Sequence, residues 1–265
     1  MSTPSSASKA TKAAKAFVPT MGALHAGHLS LITLAKKYSD DVVVSIFVNP
    51  LQFENPDDLA KYPRDSDGDS AAARAAGATQ VWTPTVAEIY PTNPEIINAG
   101  EIGSRYEGVN RPGHFDGVVT VVDRLFKTVQ PTHAIFGEKD FQQLFIIKKW
   151  VAENNIPVEI ISAPLIRDSD GLALSSRNVR LGEQGRSDAL VISRALFAAA
   201  TSNDPDATLR EFLSAAPGFT LDYAVVIDEE SFELATSQTS RPRALVAGWV
   251  NGVRLLDNMA MKVRA

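Results

Sequence analysis

The chain has 265 residues, with 26 Lys and Arg against 31 Asp and Glu for a formal charge of −5, and is 45% hydrophobic and 22% charged. That composition is ordinary for a folded globular chain and excludes collagen-like, disordered and disulfide-scaffold classes. No apolar run approaches the ~20 residues a membrane span needs, the acidic balance argues against non-specific binding of nucleic acid, and the absence of cysteine removes disulfides, thiolate nucleophiles and Cys-ligated zinc.

Residues 1–15 are Ser, Ala and Lys without an apolar stretch of signal-peptide type, and read as a mobile tail on a cytoplasmic protein. From residue 16 strand-like and helix-like segments alternate. Segment 16–19 is short and apolar, and 42–48 (VVVSIFV) is β-branched throughout its first half, as expected of a strand buried on both faces. Segments 80–83, 133–136 and 158–161 read as three further strands. Between them Leu31, Leu34 and Ala35 share one helical face. Val118, Val122, Leu125, Phe126 and Val129 form a second stripe, and Leu144, Ile147 and Val151 a third. Strands alternating with helices predict right-handed βαβ crossovers and a parallel sheet covered on both sides. The expected fold is therefore a doubly wound, Rossmann-like α/β domain over 16–181. After Arg180 the pattern changes to a helix over 183–200, a short helix near 209–215, and strands over 221–227, 244–250 and 254–256. Asn251-Gly252 supplies a two-residue hairpin turn between the last two. Residues 182–265 are expected to form a smaller α+β domain.

The stretch PTMGALHAGH (19–28) follows the first strand and runs into a helix. Ligands of open α/β sheets bind beyond the carboxyl ends of the strands. Gly22 and Gly27 let the backbone approach a ligand, and a helix N-terminus favours anions. His25 and His28, three residues apart in the first helical turn, can both face such an anion and stabilise charge growing on it. The competing readings are a structural histidine pair or a metal site. The chain has only four histidines, and no Asp, Glu or Cys lies within the motif, which disfavours a metal held by these two rings. Gly137-Glu138-Lys139-Asp140 lies at the end of another strand, on the same rim. Lys139 can neutralise phosphate there and Asp140 can orient it, although a plain surface ion pair has the same composition. Gln142 and Gln143, side by side, read as a solvated helix face. Ser175-Ser176-Arg177 on a loop fits either a helix cap or a phosphate clamp. Asn49, at the end of the most buried strand, fits a ligand contact or a local turn bond. Asp65, Asp67 and Asp69 read by themselves as solvated surface.

HxGH placed directly after a strand resembles the nucleotidyltransferase superfamily that includes the class I aminoacyl-tRNA synthetases. The longer string PTMGALHAGH, together with FVNPLQF (47–53), RPGHFDGV (111–118), FGEKDFQQL (136–144), LSSRN (174–178), LDYAVVID and RLLDN, resembles the pantothenate synthetase family from about Phe17 to the C-terminus. The resemblance implies ATP-dependent condensation of pantoate with β-alanine through a pantoyl adenylate, with release of AMP and pyrophosphate. It implies ATP contacts at Met21, His25, His28, Gly137, Lys139, Asp140, Ser175, Ser176 and Arg177, with Ser175–Arg177 as the counterpart of the KMSKS loop closing over the triphosphate. It places Gln52 and Gln143 on pantoate, Asn49 on β-alanine, and Tyr62, Arg111 and His114 near the substrates. Asp69 matches a position linked to Mg²⁺. A homodimer and a lid role for the C-terminal domain are also implied. Phe141 stands where the family usually has Tyr, and Leu174 where Met is common. A nucleotidyltransferase acting on a phosphate-bearing acceptor, or a binding protein without turnover, are the competing functions.

Overall fold

The computed structural model describes residues 13–53, 59–60 and 62–263. Five strands, β1 (Ala16–Thr20), β2 (Val42–Ile46), β3 (Gln80–Trp82), β4 (His133–Gly137) and β5 (Glu159–Ala163), form one sheet in the order β3-β2-β1-β4-β5. Every pair in it is parallel. Side chains alternate across a strand, so each strand feeds two cores. Ala16, Val18, Val42, Val44, Ile135 and Ile161 pack on one face against helix α1 (Ala26–Ala35) and Ala73 of helix α2 (Ser66–Ala76). Phe17, Val43, Ala134 and Phe136 pack on the other against α3 (His114–Val129) and α4 (Phe141–Glu153). This two-sided burial is why 42–46 is nearly free of polar residues. The strand order reverses between β1 and β4, and a crevice beyond their carboxyl ends is where such sheets bind ligands.

The second unit consists of α5 (Gly182–Thr201), α6 (Pro205–Ser214) and an antiparallel sheet β6-β7-β8 (Thr220–Asp228, Pro242–Val250, Val253–Ala260). Asn251 (φ 47°) and Gly252 (φ 72°) are both left-handed, the backbone a type I′ hairpin turn requires. The core under this sheet, with Leu196, Leu209 and Leu213, also takes in Leu172 and Leu181 from before residue 182. In the other direction Phe232, fully buried, joins Ile227 and Leu245 in the core of the first unit. Its ring lies 4.8 Å from that of Phe145 and 6.4 Å from that of Phe141. The two units therefore share apolar surface through Phe232.

Two features differ from the sequence expectation. Helix α2 has no apolar stripe beyond alanine, and its signal lies in its ends: Asp65 caps it by accepting the Gly68 N–H at 3.0 Å, Asp67 and Asp69 occupy its first turn, and Gly77 ends it at φ 114°. The acidic run is thus a helix start in which Asp65 and Asp67 are exposed, as expected, and Asp69 is buried. Lys15 is not part of a loose tail: its N–H donates to Thr132 Oγ1 at 2.9 Å, and its carbonyl accepts the N–H groups of Thr132 and His133. Ala14 is likewise tied down, its carbonyl accepting from the Ser39 hydroxyl at 2.6 Å, and residues 1–12 of the expected tail lie outside the described residues. No helix among the described residues is long and apolar enough to cross a membrane.

Candidate active site

After β1 the chain turns sharply through Gly22 (φ 86°) and Ala23 (φ 50°). The Asp69 carboxylate holds this turn: its two oxygens accept the N–H groups of Ala23 at 2.8 Å and Leu24 at 2.7 Å. A Cβ on Gly22 would lie 2.8 Å from Asp69 Oδ2, so only glycine fits against it. The turn delivers His25 to the N-cap of α1. Its Nδ1 accepts the Gly27 N–H at 3.2 Å, while His28 Nδ1 accepts the His25 N–H at 3.3 Å. This reciprocal capping fixes the tautomer, because a ring nitrogen that accepts a backbone N–H carries no proton. Each neutral ring therefore presents Nε2–H as a donor. The ring centroids are 4.1 Å apart. Burial, and then His25 beside it, pushes the His28 pKa down to about 3; burial and Lys139 lower that of His25.

Another neutral ring lies nearby. His114 donates from Nδ1 to the Gln52 carbonyl at 3.1 Å and accepts from the Arg111 guanidinium at Nε2, 3.0 Å away. Burial and Arg111 push its pKa down to about 3. The unfolded chain binds a proton at each of His28 and His114 below pH ~6.5, and the folded chain resists until about 3. Stability is thus complete above pH ~6.5 and falls as the pH drops, by roughly 2 kcal/mol per ring at pH 5. Urea unfolding is expected to show this loss between pH 7 and 5, and a His114→Gln variant to show a smaller one. Equal stability of the wild type at both values would contradict the neutral-ring assignment.

The two imidazoles line a cavity of about 210 Å³ at the carboxyl ends of β1 and β4. Its wall also carries Met21, Gly137, Lys139, Asp140, Ser175, Ser176 and Arg177, which the sequence analysis assigns to ATP, and Gln52, Gln143 and Tyr62. Lys139 Nζ lies 3.2 Å from Asp140 Oδ1. Ser175 caps the short turn Ser176–Arg180, its Oγ accepting the Arg177 N–H at 3.3 Å. Burial raises the Tyr62 pKa, and its hydroxyl bonds Ser176. Apolar residues of the wall include Phe47, Val118, Val121, Val122, Leu125 and Phe136. An adjoining cavity of about 90 Å³ shares Met21, Gln52, Lys139, Asp140, Gln143 and Arg177 with the first and adds Arg111 and His114.

Three expected residues have different surroundings. Asn49, 1% exposed, lines neither cavity. Its Nδ2 donates to Gln52 Oε1 and the Gly117 carbonyl, both at 3.0 Å, and its Oδ1 accepts from the Tyr90 hydroxyl at 2.8 Å. Its amide is engaged with Gln52, Gly117 and Tyr90, which fits the local-bond alternative. Asp69 likewise lines neither cavity, and its two oxygens are engaged as described. Among the described residues no group of three or more His, Asp or Glu could hold a metal ion. Gln142 is not on a solvated face: it is 4% exposed, donates to the carbonyls of Ile102 and Arg105 at 2.8 Å, and accepts the Glu107 N–H at 3.2 Å. Its neighbour Gln143 faces both cavities.

Distant segments, given no role from the sequence, also contribute. Glu107, Tyr223, Leu256, Asp257 and Asn258 line the second cavity. Glu107 is 5% exposed, pairs with Arg254 and accepts from the Tyr223 hydroxyl at 3.3 Å, while among the described residues its Oε2 has no hydrogen-bond partner. Tyr223 and Leu256 to Asn258 fall within LDYAVVID and RLLDN, two of the strings that carry the family resemblance, whereas nothing in the sequence singles out Glu107. Phe141 packs its ring under the Arg243 guanidinium, 4.3 Å away, and against Phe232.

A family model described as pantoate-beta-alanine ligase matches residues 2–260. A pantothenate synthetase of Acidothermus cellulolyticus is 47% identical over 258 residues, covering 93% of this chain and 85% of that protein. The crystal structure of a pantothenate synthetase from Thermus thermophilus superposes with a TM-score of 0.88 at 41% identity, covering 93% of this chain and 92% of the other. A Francisella tularensis pantoate-beta-alanine ligase, described in complex with beta-gamma ATP and beta-alanine, superposes with a TM-score of 0.77 at 35% identity, with coverages of 93% and 89%.

Proposed function

The chain belongs to the pantoate–β-alanine ligase family, whose reaction is the ATP-dependent condensation of pantoate with β-alanine, and we propose that the residues around its two cavities divide that reaction as follows. A pantoate carboxylate oxygen attacks the α-phosphorus of ATP. An oxygen–phosphorus bond forms, the bond to the bridging oxygen breaks, and pyrophosphate leaves. The carboxylate is ionised at neutral pH, so this step needs no general base. Charge grows on the phosphate oxygens as the leaving group departs. The Nε2–H groups of His25 and His28, the Lys139 ammonium, the Arg177 guanidinium and the Ser175 and Ser176 hydroxyls are fixed donors for it. In the second step the amine of β-alanine attacks the adenylate carbonyl carbon. The carbon–nitrogen bond forms, the bond to AMP breaks, and the amine loses its proton to solvent. Gln52 and Gln143, on the wall between the cavities, suit the hydroxyls and carboxylate of pantoate, and the apolar residues around Val118 and Val122 suit its dimethyl carbon. The observation that carries this reading is the pair of neutral imidazoles whose Nδ1 atoms are occupied by backbone N–H groups. Incubation with ATP, Mg²⁺, pantoate and β-alanine is expected to yield AMP and pantothenate. AMP-free mixtures would reject the reading.

Mg²⁺ belongs with the nucleotide. Magnesium sites of this kind are built largely from phosphate oxygens and water, and no protein cage faces the first cavity among the described residues. Asp69 is a loop anchor in this reading. Asp69→Asn can accept only one of the two amides, and about a tenfold loss of kcat is expected from the displaced turn, with an unchanged Mg²⁺ concentration for half-maximal rate. A large rise in that concentration would make Asp69 a metal ligand after all. A homodimer and a cytoplasmic location complete the proposal on the family resemblance, and sedimentation equilibrium at micromolar concentration should give twice the chain mass.

A further inference from the structure

The phosphate-facing groups come from three separate segments, and one short piece of β8 is bonded to the Lys139 turn and, through Arg167, to the stretch that leads into Ser175–Arg177. Asn258, 4% exposed, donates from Nδ2 to the carbonyls of Glu138 at 2.8 Å and Lys139 at 3.0 Å. Its Oδ1 is held in turn by Arg243, whose Nη1 lies 2.6 Å away. The neighbouring Asp257, also 4% exposed, takes the Arg167 guanidinium in a two-pronged pair at 2.6 and 2.8 Å, and its Oδ1 accepts the Asn258 N–H at 2.7 Å. Arg167 closes a small hairpin: it bonds the Gly171 carbonyl at 3.1 Å and forms a bridge with Ala173. The Leu174 N–H then returns to the Ile166 carbonyl at 3.0 Å. Leu174 leads directly into Ser175-Ser176-Arg177.

We infer that Asp257 and Asn258 are positioning residues that set the Lys139 turn and the Ser175–Arg177 loop at a fixed separation, so that both close on one triphosphate. The pair rests on the phosphate roles proposed above for Lys139 and Arg177. Neither residue needs to touch the nucleotide. Fork geometry between a guanidinium and a carboxylate fixes angle as well as distance, and the backbone carbonyls on either side of Lys139 leave that turn little freedom once Asn258 holds them. Holding these two segments accounts for the burial of two adjacent polar side chains, Asp257 and Asn258, in β8.

A merely structural role and a positioning role differ in a double-mutant cycle. The rate of pyrophosphate release from ATP and pantoate is measured for Asn258→Ala, Lys139→Ala and the double variant, with thermal unfolding recorded for each. The expected result is about a tenfold or greater loss for Asn258→Ala in the wild-type background, carried by kcat with KM for pantoate little changed. In the Lys139→Ala background the same change is expected to cost less than about twofold. Asp257→Asn, which keeps the shape of the side chain, is expected to behave in the same way against Arg177→Ala. An equal fold-loss in both backgrounds, with Lys139→Ala itself defective, overturns the inference alone. Wild-type rates in Lys139→Ala and Arg177→Ala overturn the phosphate assignments and the inference with them.

Discussion

His28→Ala is expected to lower turnover by about 10²–10³-fold, the usual cost of removing one preorganised donor to a developing negative charge. The ring is one of two neutral donors fixed by backbone bonds, and alanine leaves Nε2–H without a substitute. The same change also opens the reciprocal cap at the start of α1, since the His25 N–H loses its acceptor. That loss is worth about 1 kcal/mol of stability, far too little to unfold a domain of ordinary stability. Turnover and unfolding therefore separate: stopped-flow pyrophosphate release falls by orders of magnitude while the urea midpoint moves slightly. A variant that unfolds in proportion to its lost activity, or that keeps wild-type turnover, would place the histidine in the fold alone. His25→Ala removes the N-cap side chain itself and should show the same separation with a somewhat larger loss of stability.

Gly117→Ala is expected to disturb Gln52, proposed above for pantoate, from behind. Gly117 lies in α3 where that helix crosses the turn carrying Gln52. A Cβ there would overlap the Leu51 carbonyl and stand 3.1 Å from the Gln52 amide nitrogen. Backbone has to move in response, because no flexible side chain stands in between. The Gly117 carbonyl also accepts from Asn49, which in turn holds the Gln52 side chain. Overpacking of this kind costs about 1–3 kcal/mol, and the displaced Gln52 should raise KM for pantoate about tenfold or more. KM for ATP should change little, since the histidine loop packs on the opposite face of the sheet. Steady-state kinetics with each substrate varied decides this: parallel rises in both KM values would show a general disruption instead.

The α/β half was legible because its strands are buried on both faces and so carry runs such as VVVSI, and because helical stripes like Val118–Val122–Leu125 repeat at the right spacing. The hairpin at Asn251-Gly252 was legible from local chemistry alone, and both residues take the left-handed backbone. Helix α2 was not, because its buried positions are Asp69 and Ala73 and give no apolar period. The histidine loop could be placed by strand, glycine and helix order, yet nothing local says that a carboxylate 46 positions on from Ala23 holds it. Gln142 and Gln143 are adjacent in sequence and differ in surroundings: both line the second cavity, and only Gln143 lines the first. One is buried by the Ile102–Glu107 segment folding over it, and that contact exists only in three dimensions. The same holds for Asp257 and Asn258, whose partners lie 90 and about 120 positions away. Residue type and spacing thus reveal groups that act through their own chemistry, and they hide groups that act by holding another segment.

Attack of a pantoate carboxylate oxygen on the α-phosphorus of ATP carries that oxygen into AMP. Pantoate labelled with ¹⁸O in its carboxylate, turned over with ATP and β-alanine, tests it most directly through the mass of the AMP formed. The account predicts one ¹⁸O atom in AMP and one in the amide of pantothenate. AMP formed without label, alongside pantothenate, would contradict an adenylate intermediate and would require the imidazoles, Lys139 and Arg177 to serve a different phosphate.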